Sequence, residues 1–524
     1  MAKVFNVTGN CDPADHYMVD LSERLDVIRT MIGNGQYITV NRARQYGKTT
    51  TLHMLRKVLS EEYYIALIDF QTSMTHAEFE NQNDFALAFA LAFSDAMAAW
   101  NCPDSIREIQ KKLISAVDNA SPKFGLIMLF RYFKDICRTA DKPVVLMIDE
   151  IDRASNNQIF LDFLSLLRGG YIERASVPTF RSVILAGVHD IRNLQLKIRP
   201  DSEHRHNSPW NIANALDIDM SFSCEDIAGM LEEYEADHCT GMDIAGISEQ
   251  IFDYTSGYPV LVSMICQIND KKLSENAWTK DGIAEAAKII VNESVPLFES
   301  LINKIEDNPD LRDMLYSVLF KGEEYTFTPD NHIIGMANMY GFITNDTGKV
   351  RIANRIFETR LYNYFLSVEK TSNALAQDSA FHRNEYIENG LLNMEKILER
   401  FIVVYTDIYG SQTDEFLEEA GRRLFLLFIR PIINGSANYY IEARTRDLRR
   451  TDLIIDYKGK QYIIEMKIWH GPEYNERGEK QLADYLDYYH ITKGYMLSFN
   501  FNKNKQTGTK TISVGDKTIF EAVV

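Results

Sequence analysis

The chain has 524 residues, 45% of them hydrophobic and 25% charged, with a formal net charge of −18. That length suggests roughly three domains of ~150 residues, and size does not limit the core. The acidic balance argues against a protein that coats nucleic acid non-specifically, so nucleic-acid contact has to come from a local basic patch. No apolar run reaches the ~18 residues of a membrane span. Met1 to Val7 lacks the apolar core of a signal peptide. The six cysteines (Cys11, Cys102, Cys137, Cys224, Cys239, Cys266) are scattered, with no C-x-x-C pair. Reduced thiols, most of them small buried hydrophobes, and a cytoplasmic location without membrane attachment are expected.

Residues 1–36 read as a lead-in, with a helix starting near Asp20 and Ser22 as its cap. The apolar run Tyr37-Ile38-Thr39-Val40 then enters Asn41-Arg42-Ala43-Arg44-Gln45-Tyr46-Gly47-Lys48-Thr49-Thr50, and a helix-like run follows to Leu59. Strand, tight loop and helix form the context in which backbone N–H groups and a helix N-terminus converge on an anion. Lys48 is placed to reach the β- and γ-phosphates of a nucleotide, and the Thr49 hydroxyl to hold Mg²⁺. Arg44, Tyr46, Gly47 and Thr50 complete the expected ATP-binding set. Arg42 stands where the usual G-x-x-x-x-G-K-[ST] pattern has its first glycine.

Tyr63 to Phe70 is β-prone, and the aromatics of residues 83–99 have helical spacing that suits a core. Pro143-Val144-Val145-Leu146-Met147-Ile148 runs into Asp149-Glu150-Ile151-Asp152. A buried parallel strand looks like this, and acids at its end are unfavourable unless they face a cleft. Asp149 is expected to complete the Mg²⁺ shell and Glu150 to act as general base on the attacking water. Ser182 to Gly187 is a further strand, ending near His189 and Asp190, which either sense a γ-phosphate or are simply a solvated strand end. Strands alternating with helices imply a parallel α/β sheet with its ligand at the strands' C-terminal ends.

Residues 213–370 read as helical, with Ser223 capping a helix that has Glu225 and Asp226 in its first turn. Leu315 to Ile352 reads as helix, Tyr325-Thr326-Phe327, a helix over Asn331–Tyr340, and two short strands around Asp346-Thr347-Gly348. This is the pattern of a winged helix, which either binds DNA or packs against its neighbours. Residues 370–383 are polar and read as a linker. Asp452 opens the strand Leu453 to Tyr457, Lys458-Gly459-Lys460 is a turn, and Gln461 to Lys467 is a second strand. Glu465 and Lys467, at i and i+2, share a face, and Asp452 is within reach across the hairpin. Two carboxylates and a lysine at one point suit metal-dependent phosphodiester hydrolysis. Asp452 and Glu465 are candidate metal ligands, and Lys467 positions or deprotonates the water or stabilises developing charge. Arg444, Arg446, Arg449 and Arg450 form the local basic patch. A surface hairpin with a cross-strand charge cluster is the alternative.

Taken together, the chain resembles the bacterial AAA-ATPase-like proteins that carry a C-terminal PD-(D/E)xK nuclease-like domain. The segments that carry the resemblance are Asn41 to Thr50, Asp149 to Asp152, Arg181 to Gly187, Asn207 to Ile212, and the Asp452, Glu465 and Lys467 set. Members of that group commonly have Arg-rich loops of the R-x-R-x-[FY]-G-K-T kind. The resemblance implies further roles. A helix acid, Glu418 or Glu419, is a third metal ligand. Gln481, with Tyr485 one turn on, sits near the scissile phosphate. Thr255 to Leu261 resembles the G-x-P segment of a helical lid, although Gly257 and Pro259 also suit a plain helix break. An arginine finger is expected, with Arg153, Arg192 and Arg199 as candidates. Residues 199–211 read as a polar loop rather than a zinc site.

The implied architecture is α/β: a P-loop AAA-type parallel-sheet core (1–212), a helical lid (213–300), a winged-helix-like region (301–370), a linker (371–384) and a restriction-endonuclease-like PD-(D/E)xK domain (385–524). The implied function is ATP binding and hydrolysis controlling a fused nuclease that uses Mg²⁺ or Mn²⁺, in defence or mobile-element biology. DNA is the favoured partner, and the ATPase core is a candidate for homo-oligomerisation. A signalling or scaffold ATPase whose C-terminal domain binds without cutting is the alternative.

Overall fold

The computed structural model describes the chain except residues 1–2, 120–123, 155–156, 189–213, 216–218, 274–275, 294, 321–322, 369–373, 410–417, 434–436, 445–449, 459, 469–471 and 501–506. It divides into two units. The first comprises Met1–Ser248, Gly257–Gln267 and Met336–Gly341, and the second Glu249–Ser256, Ile268–Gly335 and Phe342–Val524.

The first unit is built on a five-stranded sheet of β1 (Ile38–Asn41), β2 (Tyr64–Asp69), β3 (Val144–Asp149), β4 (Ser182–Gly187) and β5 (Asn214–Ala215), in the order β2-β3-β4-β1-β5. Every pairing is parallel. All residues of β3 and β4 are buried, and their apolar runs, 144–148 and 183–186, suit strands covered on both faces. The helix over Gln82–Met97 covers part of one face, with Phe85, Phe89 and Phe93 at four-residue spacing and fully buried. Each such ring contributes about 1.5–3 kcal/mol by leaving water.

Helix α1 spans Ser22–Gly33 and α2 spans Lys48–Leu59. Ser22 is not the cap of α1. Leu21 takes that position without a side-chain bond, because the Asp20 carboxylate, a stronger acceptor, takes both the Ser22 N–H (2.9 Å) and its hydroxyl (2.6 Å). Helix α3 (Cys224–His238) does start as expected: Ser223 and Asp226 form a reciprocal capping box. Helix α4 (Pro259–Lys271) belongs to the first unit through Gln267. Because all strands run the same way, β1, β3 and β4 end on one edge, which is the ligand edge of such sheets.

In the second unit β6 (Ile343–Asp346) and β7 (Lys349–Ile352) form the expected hairpin. The segment Tyr325-Thr326-Phe327 contributes only a bridge, Thr326 to Lys349. The polar stretch read as a linker carries a helix over Ala374–Phe381, held by buried Leu375 and by Asp378 paired to Arg400. Two short strands, β8 (Ile387–Glu388) and β9 (Leu391–Leu392), pair with each other. A mixed sheet follows, of β10 (Ala437–Arg444), β11 (Arg450–Tyr457), β12 (Lys460–Ile468), β13 (Lys493–Phe499), β14 (Gly508–Val514) and β15 (Lys517–Val523), ordered β10-β11-β12-β13-β15-β14. Helix α5 (Glu418–Ile433) precedes β10, and α6 (Pro472–Tyr488) links β12 to β13. Those two strands are parallel, and only a crossover of this length permits that. Among the described residues, no helix is long and apolar enough to cross a membrane.

Candidate functional site

The loop after β1 is shaped by its own lysine. Lys48 is 6% exposed, and its Nζ donates to the carbonyls of Arg42 and Ala43, at 2.9 Å each. The ammonium is thereby held at the mouth of the loop. Gly47 caps α2 with φ +77°, a left-handed conformation that glycine adopts without a Cβ penalty. Gln45 (φ +60°) and Glu150 (φ +52°) adopt it without that freedom. Strain of this kind, about 1–3 kcal/mol each, persists where the surroundings over-determine it and clusters at sites. Arg44 is exposed, and Tyr46 packs its ring against Tyr258.

The acids after β3 meet the start of α2. The Thr49 hydroxyl donates to Asp149 Oδ2 at 2.6 Å, and the Glu150 N–H donates to Asp149 Oδ1 at 2.9 Å. Burial raises the Asp149 carboxyl above its usual range, with those two hydrogen bonds and Lys48 pulling it back. Glu150 is raised too, by burial first and then by the Asp149 charge. Burial lowers the Lys48 ammonium, opposed by Asp152, Glu150 and Asp149. Asp152 also accepts the Val188 N–H at 2.6 Å, tying the end of β4 to the acidic turn. The predicted residues Lys48, Thr49, Asp149 and Glu150 are thus brought together. The donor set at Thr49 and Asp149, a hydroxyl beside a buried carboxylate, is oxygen-only and fits Mg²⁺. A cation there also offsets the burial that disfavours the Asp149 charge.

A pocket of about 130 Å³ lies beside the loop. Gln45, Tyr46, Gly47 and Thr50 form one wall, and Asn6 to Gly9 with Cys11 another. The Cys11 N–H donates to Thr50 Oγ1 at 3.2 Å, fastening the N-terminal segment to α2. Sequence reasoning passed over this segment as a lead-in, since no periodicity or motif marks it. Arg153, a candidate arginine finger, donates through Nη1 to the Gln71 and Met74 carbonyls at 2.6 and 3.0 Å. His189, Asp190, Arg192, Arg199 and the segments 199–211 and 207–212 lie outside the described residues.

In the second unit Glu465 is 1% exposed, and Lys467 Nζ lies 2.9 Å from its Oε1. Both belong to β12 and share one face. The β11–β12 register ends at Leu453 opposite Ile464, so Asp452 and Glu465 are the next residues along each strand. Helix α6 packs against Lys467: a Cβ on Gly478 would lie 3.6 Å from Lys467 Cγ. One turn on, Gln481 Nε2 donates to the Tyr485 hydroxyl at 2.7 Å. Glu418 is the first residue of α5, and Arg444 pairs with Arg450 in the β10–β11 register. The side chains of Glu418, Asp452, Arg444 and Arg450 lie outside the described structure, as do Arg446 and Arg449 altogether. Unforeseen in the sequence is Glu521, fully buried on β15, accepting from Ser498 Oγ (2.6 Å) and paired to Lys510 (2.7 Å).

Compared with known proteins, residues 14–366 match a family model described as an AAA-like domain. No curated relative matches by sequence. Among solved structures the chain is similar to the Walker-type ATPase of Pyrococcus abyssi (13% identity, TM-score 0.47, covering 68% of this chain and 99% of that one). It is also similar to the Aeropyrum pernix Orc1 protein in complex with DNA (12%, TM-score 0.31, 66% and 93%). A third is the Thermotoga maritima RuvB Holliday junction branch migration motor (10%, TM-score 0.32, 64% and 92%).

Proposed function

The chain belongs to the AAA-like domain family, and from that premise we propose that it binds and hydrolyses ATP and that its nucleotide state controls a C-terminal metal-dependent phosphodiesterase acting on nucleic acid, DNA in the first place. The first half of this reading rests on one cluster: Lys48 on the loop carbonyls, with Thr49 against Asp149 at 2.6 Å. Lys48 meets the β- and γ-phosphates. Thr49 and Asp149 are the residues that would hold Mg²⁺, which would supply positive charge beside the phosphates. Glu150, whose carboxyl is shifted upward toward the working range of a base, accepts the proton of the attacking water. The pocket beside Tyr46 takes the rest of the nucleotide. The test is binding of Mg-ATP by calorimetry. The parent is expected to bind, Lys48→Ala to lose binding, and Glu150→Gln to bind without hydrolysing. Unchanged affinity in Lys48→Ala contradicts the role given to the loop.

The second half is supported by a helix, three antiparallel strands, a crossover helix and a parallel strand (α5, β10, β11, β12, α6, β13) that carry Glu418, Asp452, Glu465, Lys467 and Gln481 in that order. A buried carboxylate beside a lysine is expensive unless paired or used. Glu465, Asp452 and Glu418 are the residues that would hold Mg²⁺ or Mn²⁺, which would supply Lewis-acid activation of water. Lys467 would orient the attacking water or take its proton, and Gln481 would steady the phosphate. Residues 385–524 are the extent we assign to this domain. The hairpin β6–β7 favours packing over DNA contact, because Lys349 and Arg351 are both ion-paired with Glu324. That neutralisation and the net charge of −18 are what support the second reading, a signalling or scaffold ATPase whose C-terminal domain binds without cutting.

A further inference from the structure

Tyr258 enters the first unit at a point set by its neighbour. Gly257 has φ +71°, and a Cβ there would stand 2.0 Å from the Phe222 carbonyl oxygen. Only glycine admits that approach, and the Phe222 N–H donates to the Gly257 carbonyl at 2.8 Å. The Tyr258 side chain is 1% exposed. Its hydroxyl donates to the Arg44 carbonyl at 2.7 Å, and its ring meets that of Tyr46 with centroids 4.4 Å apart. Gly341 closes in on the same loop: a Cβ there would lie 2.9 Å from Ala43 Cβ and 3.6 Å from Tyr258 Cε2.

In a planar trans peptide the C=O and the following N–H point in opposite directions. Lys48 fixes the carbonyls of Arg42 and Ala43, and Tyr258 fixes that of Arg44. Three successive peptide planes are therefore set, and with them the directions of the N–H groups of Ala43, Arg44 and Gln45. Lysine supplies two of the three anchors from within the loop, and the third comes from a residue more than two hundred positions away. We propose that Tyr258 is a positioning residue for phosphate binding: its hydroxyl holds the Arg44–Gln45 peptide so that the loop is ordered before nucleotide arrives. This rests on the nucleotide-binding role given to the loop. A preordered loop binds phosphate more tightly because less ordering remains to be done on binding. The effect is confined to ligands with a phosphate tail long enough to engage the loop.

The test compares full-length parent with Tyr258→Phe, which keeps the ring packing and removes only the hydroxyl. Affinities for ATP and ADP with Mg²⁺, and for AMP by competition, are measured beside the nucleotide-free unfolding midpoint. ATP and ADP are expected to weaken about fivefold, the value of one hydrogen bond, with AMP unmoved and the unfolding midpoint lowered by no more than the loss of one hydrogen bond gives. Unchanged ATP and ADP affinities overturn the proposal. So does an equal loss for all three nucleotides. If the parent binds no nucleotide, the role of the loop itself is refuted. Parental binding that Lys48→Ala abolishes and Tyr258→Phe leaves intact refutes the role of Tyr258 alone.

Discussion

Replacing Thr49 by valine removes one hydroxyl and keeps the branched shape. In the free protein that hydroxyl donates to Asp149 Oδ2 at 2.6 Å, a charge-assisted bond of about 1.5–3 kcal/mol. The carboxylate is already disfavoured by burial, and losing a donor raises its carboxyl further. The nucleotide-free protein should therefore lose stability by about that amount or less, since water partly replaces the donor. In the proposed bound state the same hydroxyl becomes a ligand to Mg²⁺. Its loss should weaken Mg-ATP by about tenfold, because only the excess of the metal contact over the lost Asp149 bond enters the affinity. Titration calorimetry with Mg²⁺ and again with chelator separates the two effects. Thr49→Val should weaken ATP in Mg²⁺ and leave the chelator value within about twofold, and Thr49→Ser should restore most of the loss. An equal weakening with and without Mg²⁺ would show that Thr49 only packs, and an unchanged Mg-ATP affinity would remove it from the site.

Glu150 has its carboxyl raised above the usual 4.5 by burial and by Asp149. The folded state therefore binds the proton more tightly than the unfolded state, and ionised Glu150 costs stability near neutral pH. That cost fades as pH falls through the raised value toward 4.5. Glu150→Gln should thus be more stable than the parent near pH 7, with the difference narrowing on acidification. Denaturant unfolding that gives a pH-independent difference would contradict the shift. Gly257→Ala should lose about 2 kcal/mol or more of stability, because φ +71° and the Phe222 carbonyl leave no room for a methyl. Gly229→Ala, in α3 with nothing within 4 Å, should be neutral or stabilising, and equal unfolding midpoints for the two variants would deny the packing described.

How much of this the sequence revealed depended on whether the cause was local. The strand–loop–helix at Asn41 to Thr50 and the acids after Val144 to Ile148 were legible because apolar runs and charge placement within ten residues determine them. The capping box at Ser223 was equally local. Ser22 was misread because the competing acceptor, Asp20, lies two residues upstream and both residues are good caps. The stretch near 374–381 looked like a linker because its composition is polar, whereas buried Leu375 and the Asp378–Arg400 pair order it through distant partners. The bonds from Tyr258 to Arg44, from Cys11 to Thr50 and from Ser498 to Glu521 join residues remote in sequence. No periodicity or motif encodes such pairs; they exist only once the sheets are built.

The most direct measurement is cleavage of plasmid and single-stranded DNA by the full-length protein with Mg²⁺ or Mn²⁺, in the absence of nucleotide, with ADP and with ATP. Metal-dependent cleavage that changes with the nucleotide, disappears in Asp452→Ala and Lys467→Ala, and loses its nucleotide response in Lys48→Ala is the predicted result. Absence of cleavage by the parent under every nucleotide and metal condition contradicts it and leaves an ATPase that binds its partner without cutting.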